Sequence, residues 1–138
     1  MSQIITGGCH CRAIRFECTA EPIISFLCHC LDCQRVTGGS AFPGIMVLST
    51  GMRFTTGQPK YNQFPSVAGE SKHYGFCPDC GNPVDAKIEG RSDVWFLAAG
   101  AFDVPVMFKP TMELFTSRAK PWATLSANLQ KCAEGPVT

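Results

Sequence analysis

Seven of the nine cysteines in this 138-residue chain stand in three tight groups, and their spacing is where its chemistry begins. Cys28, Cys30 and Cys33 make a C-x-C-x-x-C run, Cys9 and Cys11 a C-x-C pair, and Cys77 and Cys80 a C-P-x-C-G turn. Thiolates this close repel one another unless a cation gathers them, and zinc, which takes sulfur ligands in a tetrahedron, is the expected one. Disulfides are the rival reading. The N-terminal stretch has no basic n-region and no apolar h-region, so the expected setting is cytoplasmic, where clustered cysteines bind metal rather than pair.

Three thiolates leave one tetrahedral position open, and zinc sites with three protein ligands are the ones that do chemistry. Each thiolate donates charge, so such a zinc activates water weakly and holds a further thiolate well. A free thiol with a pKa near 8.5 is only a few per cent ionised at neutral pH, and coordination ionises it outright. The expected reaction is therefore thiol capture at Cys28, Cys30 and Cys33, followed by formation or cleavage of a carbon–sulfur bond. The site could instead be closed by a fourth protein ligand, with Cys18, Cys132 or a histidine as candidates.

The elements that must position these thiols read as short strands. Period-two alternation predicts a strand over 13–18, with the Gly7–Gly8 pair turning the chain so that Cys9 and Cys11 project from a loop. Residues 23–27 read as a strand running into Cys28, and 31–36 as a helix that places Cys30 and Cys33 on one side. Further strands are expected over 41–48, 52–56, 71–76, 84–88, 94–99 and 112–116, with a loop near Pro65 and Gly69 and helical spacing over 125–129. In C-P-x-C-G the proline sets the turn and the glycine allows a left-handed residue, so Cys77 and Cys80 are expected to complete a four-cysteine site with Cys9 and Cys11.

Composition narrows the class. Residues 1–138 are expected to form a single zinc-binding domain, mainly β, with 45% hydrophobic and 17% charged residues. The net charge of +1, with no basic cluster, argues against a nucleic-acid partner, and no apolar run is long enough to span a bilayer.

The order of motifs resembles the glutathione-dependent formaldehyde-activating enzyme family. These are G-x-C-x-C before a strand, C-H-C-x-x-C-x-x-x-x-G, C-P-x-C-G, a late A-G-x-F-D and a closing S-x-A-x-P-W. That family belongs to the wider class of Mss4-like β folds, which also includes centromere protein V. The resemblance implies a structural zinc at Cys9, Cys11, Cys77 and Cys80 and a catalytic zinc at Cys28, Cys30 and Cys33. It also implies carbon–sulfur lyase chemistry with a small thiol such as glutathione, forming S-hydroxymethylglutathione from formaldehyde. One position departs from the pattern, in that Glu113 stands where the family usually has a histidine. The contrasting expectation is a non-catalytic Mss4-like module that binds a protein, for which the four-cysteine site alone would suffice.

Other residues carry blander expectations. His29 and His10 alternate with ligands and point away from the metal, either supporting it or lying at the surface. His73 is expected to be partly buried, Cys18 a core residue, and Cys132 a free thiol near a frayed terminus. Asp32 caps the helix or orients a donor, Arg35 is exposed or pairs a substrate carboxylate, Trp95 and Trp122 are core aromatics, and Phe42 packs or lines a pocket.

Overall fold

The computed structural model of the protein describes residues 3–65 and 70–136. It is mainly β, and the described residues form two sheets and one short α-helix. The small sheet joins β1 (Ile5–Gly8), β2 (Arg15–Cys18) and β5 (Met52–Thr56), with β2 central and both pairings antiparallel. The large sheet adds β3 (Ile24–Cys28), β4 (Phe42–Leu48), β6 (Lys60–Pro65), β7 (Ser71–Phe76), β8 (Pro83–Ile88), β9 (Val94–Ala98), β10 (Met112–Leu114) and β11 (Gln130–Lys131). Its strand order is β11-β10-β3-β4-β9-β8-β7-β6, parallel only at β10 with its two neighbours.

Alternation along the central strands gives the large sheet two different faces. On one, Ile45, Val47 and Leu97 join Ile5, Ile14 and Phe16 in a core against the small sheet. On the other, Phe26, Phe42, Tyr74, Ala86, Ala98 and Leu114 form a second core around Cys28, Cys30 and Cys33. Fully burying a side chain such as Phe16 contributes about 1.5–3 kcal/mol, so these apolar faces hold the strands in register. On the first face the buried Asp85 accepts hydrogen bonds from Tyr61 (2.6 Å) and from the indole of Trp95 (2.7 Å), which lies against the core as expected.

Several expectations change. Gly7 and Gly8 lie inside β1 rather than in a turn, because backbone carbonyls approach where side chains would stand. The Ala101 and Ile14 carbonyl oxygens come within 2.2 and 2.0 Å of the positions a Cβ would take. Residues 60–65 form β6, whose weak alternation reflects an edge strand with most residues exposed; Pro65 ends it, and Gly69 lies outside the described residues. The 125–129 stretch is a turn, since five residues cannot nucleate a helix alone. Trp122 is 68% exposed, not core. Cys132 is buried next to β11, its N–H bonded to the Glu113 carbonyl (2.8 Å), so the chain there is anchored and not frayed. No helix among the described residues is long and apolar enough to cross a membrane.

Candidate functional site

The folding of β1 against β2 delivers Cys9 and Cys11, and the end of β7 delivers Cys77 and Cys80. Gly81 adopts a left-handed φ of 80° and its N–H returns to the Cys77 carbonyl (2.8 Å), closing the knuckle that the C-P-x-C-G pattern predicts. Asn82 ties the halves together, its Oδ1 accepting from the His10 N–H at 2.6 Å. All four Sγ atoms lie within 4.8 Å of one another, with Cys9–Cys11 and Cys11–Cys77 at 3.6 Å. A tetrahedral zinc with bonds of about 2.3 Å sets its sulfurs about 3.8 Å apart, so the donors fit. Backbone N–H groups of Ile14, Asp79 and Cys80 point at Cys9 and Cys77 sulfurs, as they do toward thiolates. Bonds from the Asn82 and Cys11 backbone lower the Cys80 thiol to about 6.

The second group sits where β3 meets the helix α1 (Leu31–Thr37). Cys28 ends β3, paired with Phe42 on β4 and Leu114 on β10. Cys30 is the N-cap of α1: its sulfur accepts the Cys33 N–H (3.4 Å), so this cysteine, rather than Asp32, caps the helix. Cys33 follows one turn on, and the helix ends at Gly38, whose N–H bonds to the Gln34 carbonyl. The three sulfurs lie within 4.8 Å of one another, and all three residues are buried. Among the described residues no other Cys, His, Asp or Glu joins them; Cys18 packs in the first core and Cys132 stays outside the group.

Charge is unevenly shared in this trio. Hydrogen bonds from Cys28 and Cys33 hold Cys30 down to about 2, while its bond to Cys30 pushes Cys28 up to about 12. The neighbouring sulfurs Cys28 and Cys30, together with burial, raise Cys33 further still. Packed together and buried, the thiols resist carrying three negative charges at once. A divalent cation is what would let all three ionise, so the donor chemistry fits a metal.

Two residues on β7 face this trio that sequence reasoning did not single out. The Lys72 ammonium lies 3.8 Å from Cys30 Sγ, and the Tyr74 phenol oxygen 3.3 Å from Cys33 Sγ. Desolvation disfavours the charged lysine, yet the Cys30, Cys33 and Cys28 sulfurs outweigh it and raise its pKa. Burial, then the neighbouring Cys33 sulfur, keeps Tyr74 protonated. The signal was present: in a strand over 71–76, residues 72 and 74 share a face.

Behind the trio lies a buried, hydrogen-bonded pair of a histidine and a carboxyl group. His29, 2% exposed, places Nε2 2.9 Å from Glu113 Oε1 and Nδ1 3.2 Å from the Ser40 carbonyl oxygen. Glu113, 1% exposed, also accepts the Ser126 N–H (2.9 Å) and lies 3.4 Å from the Lys131 ammonium. Burial raises the carboxyl, but His29, Ser126 and Lys131 together hold it below its ordinary value. His29 thus supports the loop between Cys28 and Cys30, and the departing Glu113 is its partner. Gln34 adds a second tie, its amide donating to the His29 and Arg118 carbonyls. Of the other candidates, His10 and Arg35 are exposed, His73 is half-buried on β7, and Phe42 is buried beside the trio.

A cavity of about 350 Å³ opens against the trio, with Cys28 and Cys33 on its wall beside Phe42, Tyr74, Phe96 and Leu114. A second cavity, of about 280 Å³, is lined by Phe76 and Gly81, which flank Cys77 and Cys80, and by none of the four cysteines themselves.

These features define a β protein with two thiol groups able to hold metal, one of them facing a cavity. The sequence profile of the glutathione-dependent formaldehyde-activating enzyme family matches residues 4–118, and the chain belongs to that family. Its fold is similar to that of a Rhodobacter sphaeroides protein of known crystal structure. The two are 19% identical over 71% of this chain and 87% of that one, with a TM-score of 0.56. No protein with a curated description matches it.

Proposed function

We propose that the protein is a cytoplasmic, zinc-dependent carbon–sulfur lyase that captures a thiol and joins it to, or releases it from, a carbonyl carbon. The family's reaction, glutathione with formaldehyde giving S-hydroxymethylglutathione, is the pattern for it. The observation that carries this reading is that Cys28 and Cys33 of the three-thiol group form part of the wall of a cavity of about 350 Å³. Cys9, Cys11, Cys77 and Cys80 would hold a structural zinc, and Cys28, Cys30 and Cys33 a catalytic one. When bound by three thiolates, zinc supplies an open position that holds a further thiolate.

The chain's own residues do the rest. The captured thiol gives up its proton, its sulfur adds to the carbonyl carbon, the carbon–oxygen π pair moves to oxygen, and that oxygen takes a proton. Cleavage runs the same steps backwards. Tyr74, protonated and beside Cys33, is the group placed to give its proton to the carbonyl oxygen, and the proton released by the thiol restores the phenol. Lys72 offsets negative charge at Cys30, and Phe42, Phe96 and Leu114 exclude water. Elemental analysis before and after adding an excess of a small thiol such as ethanethiol tests the reading. Two zincs per chain, one altered by the thiol, are expected; a single zinc indifferent to thiol would sink it.

A further inference from the structure

The walls of the cavity are less suited to a peptide thiol than to an oily one. Beyond Cys28 and Cys33 its surface comes mainly from apolar side chains, among them Phe26, Met46, Ala86, Val94, Phe96 and Leu114. Four charged residues border it, and their charges are engaged elsewhere or turned to solvent. Lys72 faces Cys30 and the Phe115 ring, and the Lys87 ammonium lies over the Tyr61 and Trp95 rings on the opposite face of the sheet. Arg91 pairs with Asp93, and Glu70 is exposed. Glutathione brings carboxylates, an ammonium and amides. Inside this cavity they would lose water without gaining dedicated partners among the described residues, which is unfavourable.

Position sharpens the point. A thiol held at the open side of Cys28, Cys30 and Cys33 must send its first carbons into the cavity, because two of those sulfurs form its wall. The volume of about 350 Å³ has room for roughly a dozen water-sized groups at about 30 Å³ each. We infer that the substrate thiol of this protein carries an alkyl or aryl body, buried against Phe42, Phe96 and Leu114, in place of the glutathione peptide. The inference rests on the thiol-capture reading above and narrows its substrate class.

Isothermal titration of the zinc-loaded full chain with propanethiol, butanethiol, pentanethiol, hexanethiol, hexanol and glutathione tests it. The dissociation constant should fall about fourfold per added methylene, at about 0.8 kcal/mol each, and hexanethiol should bind at least tenfold tighter than glutathione. Ala86→Leu, which fills the cavity from its β8 wall, should flatten the alkyl series; the wild-type series alone decides the matter if that variant does not fold. A flat wild-type series, or glutathione binding as tightly as hexanethiol, overturns the inference and leaves thiol capture standing. Hexanol matching hexanethiol overturns it by removing sulfur from recognition. Heat from none of the thiols, with both zincs present, overturns this inference and the thiol-capture reading together.

Discussion

The two cysteine groups use the same ligand atom and differ in almost everything around it. Cys9, Cys11, Cys77 and Cys80 meet between two strand ends, with Cys11 and Cys80 exposed and backbone N–H groups directed at the sulfurs. Cys28, Cys30 and Cys33 are all buried, on a strand end and the first turn of a helix, with Lys72, Tyr74 and the His29–Glu113 pair packed about them. A site that only clips chain segments together needs a full set of donors and nothing beyond them. A site that handles a substrate needs an open side, a space next to it and side chains that hold its geometry when the ligand leaves. On the proposed reading, the contrast is between a closed clip and a supported, open seat.

The largest expected effect separates the two directly. Cys77→Ser should abolish the cooperative fold, because a structural zinc contributes about 10–16 kcal/mol in small zinc domains, as much as a domain's entire stability. Cys30→Ser should lose only the second zinc and the activity. Serine is itself a favoured N-cap, so α1 keeps its start. Circular dichroism melts paired with zinc content check both variants. If Cys30→Ser unfolds the chain while Cys77→Ser melts normally, the roles of the groups are reversed.

A smaller effect is expected from the His29–Glu113 pair that backs the three-thiol group. Glu113→Gln turns an amide N–H toward the Ser126 N–H or leaves His29 without its carboxylate, which should cost about 2 kcal/mol at neutral pH. The native carboxyl is held below its ordinary value, so its contribution is complete above the usual carboxylate range near 4.3 and disappears as pH falls through the lowered native value. The gap between wild type and Glu113→Gln in urea unfolding should therefore close on acidification. Both proteins shed the same metal in acid, so the difference isolates the carboxylate. A gap that stays constant from neutral to acid pH would assign Glu113 a packing role.

The asymmetry between the groups was only partly legible in the sequence. Ligand spacing is local, and it marked all seven cysteines and the knuckle glycine, whose left-handed residue a C-P-x-C-G turn demands. Period-two alternation gave β2, β4, β5, β7, β8 and β9 to within a residue or two. Tertiary context was hidden. Edge strand β6 lacked alternation because little of it is buried, and Gly7 sat in a strand because the Ala101 carbonyl comes from across the fold. Glu113 stood out as a departure, but its meaning needed the return of β10 alongside β3, which puts it 2.9 Å from a histidine 84 residues earlier.

The smallest effect on stability should come from Tyr74→Phe, and it is the one that asks most of the open seat. The ring would keep its edge contacts with Phe42 and Phe64, at centroid separations of 6.1 and 5.5 Å. Losing one buried hydroxyl next to Cys33 should shift stability by about 1 kcal/mol and leave both zincs in place. A phenol that hands a proton to the carbonyl oxygen is worth more during turnover than at rest, so kcat should fall by roughly 10²-fold with thiol binding unchanged. Steady-state kinetics beside a titration with the thiol alone separates the two quantities. If turnover survives the substitution, Tyr74 only satisfies a sulfur, and the proton at the carbonyl oxygen must come from Lys72 or from water entering the cavity mouth.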